Sequence, residues 1–166
     1  VYLIKYDAAE KELWRLAINN QTGFTLDSEG NLYLVEQGPY LSSSVAKLNA
    51  QGQLQWSRQY ATQCGFRATT DDANLYLIGV FGTQEEVHGG VVKKLDLSTG
   101  AEIWSTTIDN ALFRPVNIVC AKGIIYASAN NIEENKEAYI VKVLDSQWQK
   151  PDSTLTSLHT ESLVTE

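Results

Sequence analysis

The chain has 166 residues, with 43% hydrophobic and 20% charged residues, enough for one globular domain with a real core and too apolar for a disordered segment. Its formal net charge of −7 and pI near 4.8 exclude the basic stripe that nucleic-acid backbones require. No apolar run approaches the 18 residues of a membrane span. Val1 and the absence of methionine point to a chain that was processed or excised from something longer.

The first element is Tyr2-Leu3-Ile4-Lys5-Tyr6-Asp7, an apolar run holding one lysine and ending in Asp. The same pattern returns as Val45-Ala46-Lys47-Leu48-Asn49, Val91-Val92-Lys93-Lys94-Leu95-Asp96 and Ile140-Val141-Lys142-Val143-Leu144-Asp145. A repeat at this period decides architecture before any local signal does. In the first three copies a tryptophan follows (Trp14, Trp56, Trp104), with Gly52 or Gly100 between in the second and third. That is the grammar of a strand, a glycine turn and a returning strand. The first copy has Glu10-Lys11 where the others have their glycine. The fourth departs most, since Trp148 comes early and Pro151 interrupts the return.

A second hairpin precedes each later copy. Phe24 to Asp27 turns through Ser28-Glu29-Gly30 into Asn31 to Val35. Ala68 to Thr70 turns through Asp71-Asp72-Ala73 into Asn74 to Ile78, and Asn117 to Cys120 turns through Ala121-Lys122-Gly123 into Ile124 to Ala127. Tyr33, Tyr76 and Tyr126 hold matching places. Their strands are apolar at nearly every position, as a strand packed on both faces should be. The chain therefore reads as all-β, with blades of four antiparallel strands in a β-propeller of about three and a half blades. The expected units are 1–20, 21–62, 63–110 and 111–166. Propellers close at four blades or more, so three arrangements stand open: a fragment of a longer propeller, a half-ring completed by a second copy, or a four-bladed ring closed by residues 154–166. The exposed blade faces of a half-ring disfavour a lone monomer.

At these residues the sequence resembles the bacterial SBBP-type and PQQ-like propeller repeats. Asp27 to Val35 followed by Ala46 to Trp56 is similar to the SBBP pattern, and Lys94 to Trp104, with its Leu-Asp, Thr-Gly and Trp, is similar to the PQQ-like one. The resemblance runs from residue 2 to about 150 and implies the fold more than the function. For the PQQ-like group it also implies a quinone site lined from every blade, with calcium and a tryptophan floor, whose residues do not map onto this chain.

The repeated tryptophans read as wedges between blades, and Lys5, Lys47, Lys94 and Lys142 as strand lysines reaching a nearby acid. Asp27 to Asn31 and Asp71 to Asn74 are rich in oxygen ligands, yet their residues are also those that tight turns need. Phe66-Arg67 and Phe113-Arg114 precede the first strand of a blade at matching places, with Phe24 as the third counterpart lacking its arginine. Two arginines lining a central channel could hold one anionic ligand. The 79–90 segment, from Gly79 to Gly90, reads as a long glycine-rich loop that puts His88 near Glu85 and Glu86, a third candidate ligand-binding residue.

No nucleophile elbow, phosphate loop or zinc spacing is present, so neither cofactor nor metal is expected. The reading is a non-catalytic binding or scaffold module for a protein or glycan partner. A PQQ-like quinoprotein dehydrogenase fragment and an oligomeric lectin are the alternatives. Cys64 and Cys120 leave the redox compartment open, a disulfide between them not being favoured, and a secreted or periplasmic location is the expected one.

Overall fold

The computed structural model describes residues 1–19, 22–83, 85–108, 113–121, 124–131 and 138–144. Among them there is no helix, and none therefore that is long and apolar enough to cross a membrane. The strands are β1 (Tyr2–Tyr6), β2 (Glu12–Ala17), β3 (Thr22–Leu26), β4 (Leu32–Gln37), β5 (Ser43–Leu48), β6 (Leu54–Tyr60), β7 (Gln63–Thr70), β8 (Asn74–Gly82), β9 (Val87–Asp96), β10 (Glu102–Ile108), β11 (Phe113–Ala121), β12 (Ile124–Asn131) and β13 (Ala138–Leu144). They form four antiparallel meanders in chain order: β1-β2, β3 to β6, β7 to β10 and β11 to β13. Each meander is a propeller blade, complete in blades 2 and 3, with two described strands in blade 1 and three in blade 4.

The second strand of each blade shows why the fold stacks. In β4, Leu32 and Leu34 face Leu3, Trp14, Leu16 and Ile18 of blade 1, while Tyr33 and Val35 face the other way into blade 3. In β8, Leu75 and Leu77 face blade 2, and Tyr76 and Ile78 meet Ile118, Ile125, Ala127 and Ala129 of blade 4. Successive residues point to opposite faces, so an unbroken apolar strand is one buried on both sides. Each such Leu, Ile or Val contributes roughly 1.5–3 kcal/mol by leaving water. The protein thus has three thin cores, one in each gap between neighbouring blades.

The first two gaps are closed by one repeated joint. Trp14 Nε1 and Lys5 Nζ both donate to the Ala50 carbonyl of the next blade, at 3.2 and 2.8 Å. Trp56 Nε1 and Lys47 Nζ both donate to the Leu97 carbonyl, at 3.1 and 3.2 Å. Ala50 and Leu97 occupy the same place in their turns, three residues after the blade's own lysine. The expectation that these lysines meet acids is therefore corrected for Lys5, whose partner is a backbone carbonyl; Lys47 bonds a carbonyl too, and its charge also acts on the Asp27 carboxylate. Lys142, Trp148 and Pro151 fall where no side chain is described.

The turn glycine beneath each tryptophan is required twice over. Gly52 and Gly100 have φ of 79° and 67°, and a Cβ on them would lie 3.0 and 2.7 Å from the rings of Trp14 and Trp56. Only glycine takes that φ freely and leaves the ring its seat. Asp7, Asn49 and Asp96 open the three turns and accept the following backbone N–H groups through their side-chain oxygens. At Asp96 the hydroxyls of Ser98 and Thr99 add further bonds.

Candidate binding surface

The inner strands β3, β7 and β11 run side by side, with β7 in contact with both of the others. They carry the two arginines that the sequence put forward. Phe66-Arg67 lies inside β7 rather than before it, and Phe113-Arg114 opens β11. The two arginines are not equivalent. Arg67 pairs across to Ile78, two residues past Tyr76, whereas the residue so placed relative to Tyr126 is Ser128, whose partner is Asn117. Arg114 pairs with Asn130, in the row that blade 3 gives to Cys64 and Val80. Phe24 in turn matches Ala68 and Ile118. The Phe-Arg match is thus displaced by three residues. Each strand carries one bulge, between Cys64 and Arg67 and between Pro115 and Asn117, and the two offset each other; the displacement arises because Arg67 precedes its blade's tyrosine by nine residues and Arg114 precedes Tyr126 by twelve.

Arg67 is exposed and folds back on its own strand, donating to the carbonyls of Gly65 and Phe66 at 3.3 and 3.2 Å. Arg114 is half-buried beside Cys64. Burial pushes the Cys64 thiol up, and the arginine's charge partly opposes it. Cys64 and Cys120 are not joined in a disulfide.

The glycine-rich 79–90 segment is a long hairpin and not a loop. Gly79 pairs with Val91, Val80 with Gly90, Phe81 with Gly89 and Gly82 with Val87, leaving only 83–86 as the turn. Gly79 is glycine because Phe66 packs onto it: a Cβ there would lie 2.5 Å from the phenyl ring. His88 stands exposed on β9, edge-on to Phe81 with ring centroids 6.0 Å apart. Glu85 and Glu86 direct their backbone N–H groups to Thr83 Oγ1, and among the described residues no carboxylate pairs with His88.

The oxygen-rich turns are occupied by their own chain. Asp27 accepts from the Tyr33 hydroxyl at 2.9 Å and from Asn31, and Asp71 accepts from Tyr76 at 2.8 Å and from the backbone of Ala73 and Asn74. Burial raises both carboxyls, but these bonds outweigh it and hold them below the usual range. Both tyrosines are fully buried, and burial together with Asp27 pushes the Tyr33 phenol well up. Trp14 and Trp56 are committed to joints between blades, and Trp104 packs against the core between blades 3 and 4.

The surface that stands apart lies at the two ends of the arc. Phe24 and Leu26 on β3 are each 54% exposed, although the counterparts of Phe24, Ala68 and Ile118, pack against a neighbouring blade. Next to them β1 pairs only with β2 among the described residues, so its inner edge offers a row of backbone donors and acceptors. On the outer face of blade 1, Tyr2, Tyr6 and Leu13 are 60%, 55% and 53% exposed. At the far end, Val116, Val119 and Tyr126 of blade 4 are exposed beside a shallow depression of about 120 Å³ lined by Asn117, Val119, Tyr126 and Ser128 among others. Single exposed apolar residues are ordinary, but three or more in one place mark an interaction surface. The sequence carried this signal in the apolar run Tyr2 to Tyr6, but only the paired sheets show which side is bare.

No protein-family model matches the chain, and no curated protein matches its sequence. Among solved structures, a Synechocystis apocarotenoid oxygenase mutant aligns with a TM-score of 0.46 at 10% identity, over 71% of this chain and 33% of that one. An endo-arabinanase from Bacillus licheniformis aligns with a TM-score of 0.39 at 15% identity, over 84% of this chain and 59% of its own. The chain spans about a third of the length of the oxygenase. At such values neither likeness bears on activity, and the propeller architecture rests on the sheets themselves.

Proposed function

We propose that the chain is a non-catalytic binding module that takes a protein partner at the open inner side of blade 1. One observation carries this reading: Phe24 and Leu26 are each 54% exposed beside an edge of β1 that pairs with no other described strand. An extended segment that adds to that edge would satisfy the backbone row and lay alternate apolar side chains on Phe24 and Leu26. The repeat itself is taken as kin to the SBBP-type and PQQ-like propellers, supported by the joint of tryptophan on turn glycine. Arg67, Arg114 and His88 belong to a separate surface of inner strands and hairpin.

The test sets a panel of extended peptides beside a glycan array, using the wild-type chain and a Phe24→Asp/Leu26→Asp variant. Peptide binding that weakens at least tenfold in the variant, and that Arg67→Ala/Arg114→Ala leaves unchanged, is the expected result. Glycan binding alone, or peptide binding indifferent to Phe24 and Leu26, overturns the reading. So does absorption beyond the aromatic band in the purified protein, which signals a bound quinone.

A further inference from the structure

Among the described residues, three other than glycine hold left-handed backbone: Glu10, Tyr40 and Asp72, with φ of 60°, 52° and 68°. Aspartate tolerates this conformation, and Asp72 also uses it, since its carboxylate accepts Ser28 N of the neighbouring blade at 2.7 Å. Glu10 closes the turn between β1 and β2, its N–H bonding to Asp7 O at 3.1 Å. Tyr40 has no such return. A bulky aromatic is poorly suited to a positive φ. Its side chain is 75% exposed, and its ring and hydroxyl make no hydrogen bond or ring contact among the described residues.

The hairpin tip that carries it, between β4 and β5, is nonetheless fixed. Gly38 N bonds to Ser42 O at 3.0 Å, Ser42 N to Tyr40 O at 2.6 Å, and Ser42 Oγ donates to Pro39 O at 2.6 Å. A Cβ on Gly38 would lie 2.5 Å from Ser42 Oγ, so glycine there lets the tip close. Pro39 removes further freedom. The tip is thus built to hold one conformation, and that conformation holds the tyrosine ring out in water. Strain of this kind persists where the surroundings over-determine it, and it gathers at binding sites. A rigid ring presented at small entropic cost is what anchors an interface.

The neighbouring tip indicates the chemistry of the partner. Ser43, next after the Tyr40 tip, pairs with Tyr60; two residues on, the Thr62 carbonyl accepts Gly82 N at 3.2 Å. The tip between β8 and β9 therefore flanks the same short connection as the Tyr40 tip, at the same end of blades 2 and 3. It carries Glu85 and Glu86, both exposed and without an ion pair among the described residues. Arginine is the side chain that serves both tips, because its planar cation stacks on an aromatic face and pairs with a carboxylate.

We propose that these two tips form a second docking surface, for an arginine-bearing segment of a partner protein: one guanidinium stacks on the Tyr40 ring, and another pairs with Glu85 and Glu86. This surface is separate from the edge of blade 1 and goes beyond the reading given for it. The experiment titrates the full 166-residue chain into labelled nonapeptides that alternate arginine with serine, beside the same peptides with aspartate for arginine. The arginine peptide should bind and the aspartate peptide should not. Tyr40→Asn should weaken binding about two- to fivefold, the range for an exposed cation over a ring. Glu85→Gln/Glu86→Gln should also weaken it, and Phe24→Asp/Leu26→Asp should leave it unchanged. Asparagine takes left-handed backbone readily, so Tyr40→Asn should unfold at a urea concentration no lower than the wild type. An arginine peptide that does not bind, or that binds Tyr40→Asn as well as the wild type, overturns the proposal, the second result assigning the binding to general acidity. A Tyr40→Asn variant with a lowered unfolding midpoint overturns it too, because the tyrosine would then be held for the fold. Binding lost only in Phe24→Asp/Leu26→Asp places the peptide at blade 1 and removes this surface alone.

Discussion

The joint between blades 2 and 3 and the outer face of blade 1 are made from the same repeat and end in opposite states. At the joint, Trp56 lies over Gly100 with its indole bonded to Leu97, Tyr33 packs 6.2 Å from it, and Phe66 meets Tyr60 edge-on. The rim is tied by Lys93, 4% exposed, whose ammonium bonds Glu102 at 2.6 Å beneath the Tyr60 ring. Burial raises the Glu102 carboxyl, the bonds from Lys93 and Ser105 outweigh it, and burial with the charge of Glu102 pushes the Tyr60 phenol up to about 12. On blade 1 the same alternation puts Tyr2, Tyr6 and Leu13 into solvent, and Glu10 replaces the glycine. The repeat thus specifies a strand's two faces, and in blade 1 Glu10 takes the left-handed turn position that glycine holds in the other two turns.

The hardest blow to this comparison is Trp56→Ala. It removes a buried indole from the centre of the largest core and leaves a void over Gly100, so a loss of about 3–5 kcal/mol is expected in urea unfolding. Trp14→Ala, at a half-exposed ring, should cost clearly less. Equal losses would show that the two joints are not graded by burial.

Gly100→Ala against Gly30→Ala sharpens the point about the seat. Both residues have left-handed backbone, at 67° and 78°, and share a strain of roughly 1–2 kcal/mol. A methyl at Gly100 meets Trp56 at 2.7 Å, whereas at Gly30 the nearest atom is Ala50 Cβ at 3.9 Å. The Gly100 variant should lose about a further 1–3 kcal/mol, the ordinary range for overpacking. Identical midpoints for the two variants would show that the Trp56 ring is not what requires glycine at position 100.

These contrasts also explain how far the sequence could be read. The lysine, tryptophan and tyrosine spacings announced the blades because each residue sits in a contact that recurs with the repeat. The partner of Lys5 and Lys47 was illegible, since a carbonyl on the neighbouring blade leaves no mark in composition. Phe66-Arg67 and Phe113-Arg114 looked equivalent because the dipeptides match by type, although one lies nine residues before its blade's tyrosine and the other twelve. Gly79, Gly82, Gly89 and Gly90 looked like a loop because glycine that makes room for a ring or a close backbone is indistinguishable, in sequence, from glycine that turns the chain. The bare side of blade 1 depends on which strands pair, and strand pairing is the long-range term that a local pattern lacks.

The smallest expected effect concerns the turns that carry the joints. Asp96 is held down to about 2, first by the Ser98 and Thr99 hydroxyls and then by the Thr99 and Ser98 backbone N–H groups. A carboxyl lowered on folding contributes stability that is fully present above its unfolded value, near 3.9, and is lost as pH falls towards 2. Unfolding midpoints should therefore decline across that interval, and Asp96→Asn should flatten part of the decline while lowering stability at neutral pH. Ser98→Ala/Thr99→Ala leaves Asp96 with backbone N–H donors alone and should flatten much of the same decline. If that variant keeps the wild-type slope, the hydroxyls of Ser98 and Thr99 are not what holds the Asp96 carboxyl down.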